Sequence, residues 1–68
     1  MKEYYVEKQA GENGANEVHT SDCNWLPSKA RRILVGKFAG CQEALVAAQK
    51  FYSKVNGCKD CSPECHTE

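Results

Sequence analysis

The last eleven residues of this 68-residue chain, Cys58-Lys59-Asp60-Cys61-Ser62-Pro63-Glu64-Cys65-His66-Thr67-Glu68, hold three of its five cysteines and one of its two histidines. The other histidine and a fourth cysteine form an upstream cluster, His19-Thr20-Ser21-Asp22-Cys23. Cys58-x-x-Cys61 is the spacing at which two thiolates grip one tetrahedral zinc ion, and His19-x-x-x-Cys23 offers an imidazole and a third thiolate. Thirty-four residues separate Cys23 from Cys58, enough for a strand and a helix to go out and return. A Cys3His site is closed to solvent water, so the expected role is structural rather than catalytic. Ligation deprotonates the thiols, so metal-binding free energy becomes folding free energy. Lys59 sits where it could offset thiolate charge, or simply as a solvated turn lysine.

Cys41, Cys65 and His66 remain outside this set. Cys41 reads as a small buried hydrophobe on a helix, or as a thiol acidified by the helix N-terminus and able to pair with another cysteine. Cys65 and His66 lie at an end expected to fray. They are alternative fourth ligands in place of His19, or the site of a disulfide under oxidation. No paired carboxylate, phosphate-cradling glycine loop or nucleophile–base pair stands apart from these groups, so no enzymatic constellation is expected.

These clusters must be positioned by very little protein. At this length a chain buries about 60% of the surface its unfolded form exposes, and a staple is needed to complete the core. The N-terminal Met1–Lys8 segment is charged and lacks an apolar stretch, which points away from a signal peptide and towards a cytoplasmic location. Thiols there stay reduced, and the odd cysteine count also favours a metal over a pure disulfide framework. The longest apolar run, Ala44–Ala48, is far too short to cross a membrane. The formal net charge is zero, so there is no basic footprint for nucleic acid. A protein partner is therefore expected over nucleic acid or membrane, and the chain is expected to be monomeric.

The elements follow from local pattern. Tyr4-Tyr5-Val6-Glu7 reads as a first strand, and Val18-His19 as the second, joined through a loop from Gln9 to Asn16 that contains the Asn13-Gly14 turn signal. Alternation puts Tyr4, Val6 and Val18 on one face and Tyr5 and His19 on the other. Trp25, in the turn after Cys23, is expected to cap the core. Arg32–Phe38 is the strongest strand; Ile33 and Val35 share one face and Leu34 and Phe38 the other, which suggests a central strand. Gly40 is an N-cap, Glu43 complements the helix dipole, and Cys41, Ala44, Leu45, Ala48, Phe51 or Tyr52 and Val55 form one helical stripe. Asn56-Gly57 then stops a helix spanning about 41–55. The expected fold is a single α+β domain over 1–68: a three-stranded antiparallel sheet packed on one helix, with a cysteine-rich C-terminal knuckle.

Taken together, His19-x-x-x-Cys23, Gly36-Lys37-Phe38-x-x-x-x-Glu43-Ala44 and Gly57-Cys58-x-x-Cys61 resemble the Ada-type metal-binding domain, a zinc module of a bacterial alkylated-DNA repair protein, over residues 19 to 61. The resemblance implies that Phe-x-x-x-x-Glu-Ala starts the helix and that the two ligand pairs hold one zinc. In that domain the first ligand is a cysteine that accepts a methyl group from DNA; His19 stands here, so the acceptor chemistry does not carry over. The chain also resembles small stand-alone bacterial proteins, which implies a fold and no role. The expected function is a non-enzymatic zinc-stabilised binding or adaptor module. The alternatives are a thiol-redox or disulfide-stabilised protein, with Cys58 and Cys61 as the active pair and Cys41 or Cys65 resolving it, and a nucleic-acid-binding module using Lys29, Arg31, Arg32 and Lys37 with the aromatics Tyr5 or Trp25.

Overall fold

A computed structural model describes residues 1–11 and 13–67; Glu12 of the first loop and Glu68 of the tail lie outside it. Strands β1 (Lys2–Glu7), β2 (Asn16–Thr20), β3 (Arg32–Phe38) and β4 (Val55–Gly57) form one mixed sheet in the order β3-β1-β2-β4, and a single helix, α1 (Cys41–Ala48), packs on it. β1 pairs antiparallel with β2 and with β3, whereas β2 and β4 run parallel. The α+β class and the cysteine-rich C-terminus agree with the sequence. The count of three antiparallel strands does not, because a fourth, parallel strand is added.

In the β1–β2 hairpin, Gly14 takes the left-handed φ of 82° that the turn requires, and Asn13 Oδ1 accepts the Ala15 N–H at 3.0 Å. Period-two alternation then sends Tyr4, Val6 and Val18 to the helix face, where all three are buried. Burying a valine such as Val6 or Val18 contributes about 1.5–3 kcal/mol. The helix meets them with Cys41, Ala44 and Ala48, whose small side chains let it approach closely, and Ile33, Val35, Phe38, Leu45, Tyr52 and Val55 close the sides.

β3 spans the expected residues but lies at the sheet edge rather than its centre. Tyr4 pairs with Gly36 and Tyr5 with Leu34, which leaves Val35 as the extra residue of a bulge. The bulge shifts the side-chain parity, so Ile33, Val35 and Phe38 all pack on the core while Leu34 is 51% exposed. Apolar residues on both faces of β3 thus reflect a change of phase, not burial on two sides. Gly36 makes the bulge possible: its φ is 146°, and a Cβ there would lie 3.1 Å from the Phe38 ring.

The helix is shorter than its apolar stripe predicts. Gly40 is the N-cap and Glu43 accepts the Ala39 N–H, but the last helical residue is Ala48 rather than Val55. A tightened turn follows, with Lys50 N–H donating to Ala47 and Phe51 N–H to Ala48. Tyr52 still reaches the core, Phe51 does not, and Val55 reaches it from a strand. Gly57 is accordingly not a left-handed helix stop. It is a strand residue under close approach: a Cβ there would lie 2.7 Å from Cys65 Cβ and 2.9 Å from the Ser62 carbonyl oxygen.

Candidate metal centre

Two structural units deliver the ligands. β2 presents His19 on the sheet face opposite the helix, and the turn after Thr20 brings Cys23 back beneath it, with Cys23 N–H donating to the Thr20 carbonyl at 3.2 Å. β4 runs parallel to β2, with Val18 paired to Gly57, so Cys58 emerges beside His19; its N–H donates to the Val18 carbonyl at 3.0 Å. The chain then turns tightly, Ser62 N–H donating to the Cys58 carbonyl at 2.8 Å, and this returns Cys61 to the same point.

His19, Cys23, Cys58 and Cys61 each contribute one ligand atom to a group whose members all lie within 4.8 Å of one another. Cys23 Sγ is 3.7 Å from Cys58 Sγ and 3.6 Å from His19 Nδ1. A tetrahedral metal with sulfur at about 2.3 Å and nitrogen at about 2.0–2.1 Å has edges of about 3.5–3.8 Å, and the two Cys23 separations match such edges. His19 is 1% exposed and Cys58 is buried, while Cys23 and Cys61 are half-buried. These donors fit a metal ion, with imidazole and thiolate as the ligand types.

The backbone is arranged for sulfur anions. Thr20 N–H donates to Cys61 Sγ at 3.3 Å and Trp25 N–H to Cys23 Sγ at 3.4 Å, and the backbone amides of Asp60 and Cys61 are placed to favour the Cys58 thiolate. Without a metal the three thiols part company. Burial pushes Cys23 up to about 12 and also raises Cys58, where those amides oppose the rise. Burial would raise Cys61 as well, but hydrogen bonds from the Cys23 thiol and from Thr20 outweigh it, and its net shift is downward. Metal charge is what would bring all three to the thiolate form together.

The surplus residues fall elsewhere. Cys41 and Cys65 form a disulfide with a Cα–Cα distance of 6.3 Å, tying the first residue of α1 to a 3-10 turn at Pro63–Cys65. Of the readings open to Cys41, pairing with another cysteine is the one observed, and Cys65 is correspondingly not a fourth ligand. Nor is His66: its Nδ1 donates to the Gly57 carbonyl at 3.0 Å. The tail is held rather than frayed, since Asn56 Nδ2 donates to the Thr67 carbonyl at 3.0 Å and Thr67 N–H donates to Asn56 Oδ1 at 2.9 Å. Lys59 is exposed. Trp25 does not cap the core; it is 66% exposed, because its amide is committed to Cys23 and its indole N–H faces the Asp60 carboxylate.

Sequence reasoning passed over Glu7, whose Oε1 lies 3.1 Å from His19 Nε2, and Glu17, whose Oε1 lies 3.8 Å from the same atom. Period two alone would have placed Glu7, Glu17 and His19 on one face. Among the described residues no helix is long and apolar enough to cross a membrane. Comparison with family models, with curated proteins and with solved structures finds nothing that matches this chain.

Proposed function

We propose that this chain is a non-enzymatic, zinc-stabilised binding module whose single ion is held by His19, Cys23, Cys58 and Cys61. The observation that carries the reading is the convergence of one nitrogen and three sulfurs, from two distant stretches of sequence, within 4.8 Å of one another. Zinc suits this set because it accepts mixed imidazole and thiolate ligands in a tetrahedron. Four protein ligands leave no position for a reacting water, which favours a structural over a catalytic ion. The relation to the Ada-type domain belongs to the same proposal and extends to the metal scaffold alone, since His19 replaces the methyl-accepting cysteine.

A second reading, disulfide stabilisation, is favoured by the Cys41–Cys65 bond and is compatible with the first. Three thiols remain for the metal, so the odd cysteine count divides into three ligands and one bridge. Elemental analysis of protein purified without chelator tests the proposal, with one zinc per chain expected. A chain that carries no metal and unfolds at the same temperature with and without chelator would sink it.

A further inference from the structure

His19 turns one ring nitrogen to the thiols and the other to a pair of carboxylates. Nδ1 lies 3.6 Å from Cys23 Sγ, while Nε2 lies 3.1 Å from Glu7 Oε1 and 3.8 Å from Glu17 Oε1. The ring is 1% exposed, so bulk water is not at hand to satisfy Nε2. The antiparallel register sets Tyr5 opposite His19 and Val6 opposite Val18, and one further step brings Glu7 across from Glu17. Like charges directly opposite on paired strands are destabilising, so sheet stability alone supplies no reason for this arrangement.

We propose that Glu7, with Glu17 behind it, is a positioning residue of the metal centre, its carboxylate accepting the Nε2–H hydrogen bond and fixing His19 in the tautomer that ligates through Nδ1. This rests on the metal-binding reading given above. A neutral imidazole carries one proton; on Nδ1 that proton would block ligation, and a half-buried carboxylate acceptor at Nε2 draws it there instead. The same acceptor increases the electron density that Nδ1 offers the ion. The competing arrangement is a second cation held by Glu7, Glu17 and His19, whose donor atoms also lie within 4.8 Å of one another; it would require Nε2 to lose its proton.

Cobalt(II) titration of the full chain, read by visible absorption, tests this together with 15N histidine spectra of the zinc-loaded protein. Glu7→Ala is expected to weaken cobalt binding about 10–100-fold, with the nearly isosteric Glu7→Gln falling between it and the unaltered chain. The His19 Nε2–H signal should be visible and slow to exchange in the unaltered chain, and lost in Glu7→Ala. Cobalt affinity and an Nε2–H signal unchanged in both variants would overturn the proposal while leaving the metal site standing. Two ions per chain with no proton on Nε2 would overturn it in favour of the bridged arrangement. An unaltered chain that takes up no cobalt would overturn the metal-binding reading itself, and this inference with it.

Discussion

His66 follows Cys65 directly and has the same chemistry as His19, yet the two imidazoles have different work. His66 donates from Nδ1 to the Gly57 carbonyl, whereas His19 directs Nδ1 to the Cys23 sulfur. Substitution should therefore separate them. Cys58→Ser or Cys61→Ser should weaken zinc binding by about 2.5–4 kcal/mol, a quarter share of the roughly 10–16 kcal/mol that a structural zinc supplies. His66→Ala should cost about 1 kcal/mol of stability through one lost hydrogen bond and leave zinc affinity unchanged. Competition with a colorimetric chelator and thermal unfolding read the two effects independently. The thiols also make the metal-free fold sensitive to alkali. Cys23 titrates near 12 in the fold against an ordinary 9.0, so its contribution is fully present below about pH 9 and is lost as pH rises towards about 12. Cys61, lowered in the fold, acts in the opposite sense, adding stability above its ordinary value and losing it as pH falls. Chelated wild-type protein followed by urea unfolding should weaken across that alkaline window, and Cys23→Ser should flatten the decline.

At the scale of elements, Gly57 is where site and fold meet. It ends β4, adjoins Cys58, and lies so close to Cys65 that a Cβ would fall within 2.7 Å of that residue's own Cβ. Two of its three closest contacts are backbone atoms, which cannot rotate away. Gly57→Ala should cost about 1–3 kcal/mol as an overpacking change and slow closure of the Cys41–Cys65 bridge, both measurable by urea unfolding and non-reducing mass spectrometry. The same region marks the limit of what local pattern reveals. The convergence of His19, Cys23, Cys58 and Cys61 could be read from spacing because metal geometry constrains spacing. The extent of β3 could be read because a run of β-branched and aromatic residues has few other uses. The helix end could not: Phe51, Tyr52 and Val55 continue the helical stripe, and only pairing of the three-residue β4 with β2 removes Val55 from it. The β3 bulge was hidden for a related reason, since one inserted residue makes an edge strand look apolar on both faces. Glu7 stayed unnoticed because its meaning depends on cross-strand register, which no single strand contains.

For the whole molecule, the Cys41–Cys65 disulfide, joined on the proposed reading by a metal ion, supplements a small core built largely from valine, alanine and cysteine. The disulfide closes a sequence separation of 24 residues and should contribute about 3 kcal/mol, mainly by restricting the unfolded chain. A Cys41→Ala/Cys65→Ala double variant should therefore lower stability by about that amount while retaining its metal. Chelator and reductant applied singly should each leave a cooperative unfolding transition, and applied together should abolish it; circular dichroism during heating distinguishes these outcomes.

The order of the crosslinked residues along the chain carries one more consequence. Reading from the N-terminus, the proposed metal ligands His19 and Cys23 come first, then Cys41 of the disulfide, then Cys58 and Cys61, then Cys65. The two closed loops interleave rather than nest. With the ion bound, any single break in the backbone between Cys23 and Cys65 leaves both fragments tethered by at least one crosslink, and a break between Cys41 and Cys58 leaves them tethered by both. Trypsin cutting after the exposed Lys50 or Lys54 should yield a nicked protein that gains the mass of one water and stays in one piece until it is reduced and stripped of metal.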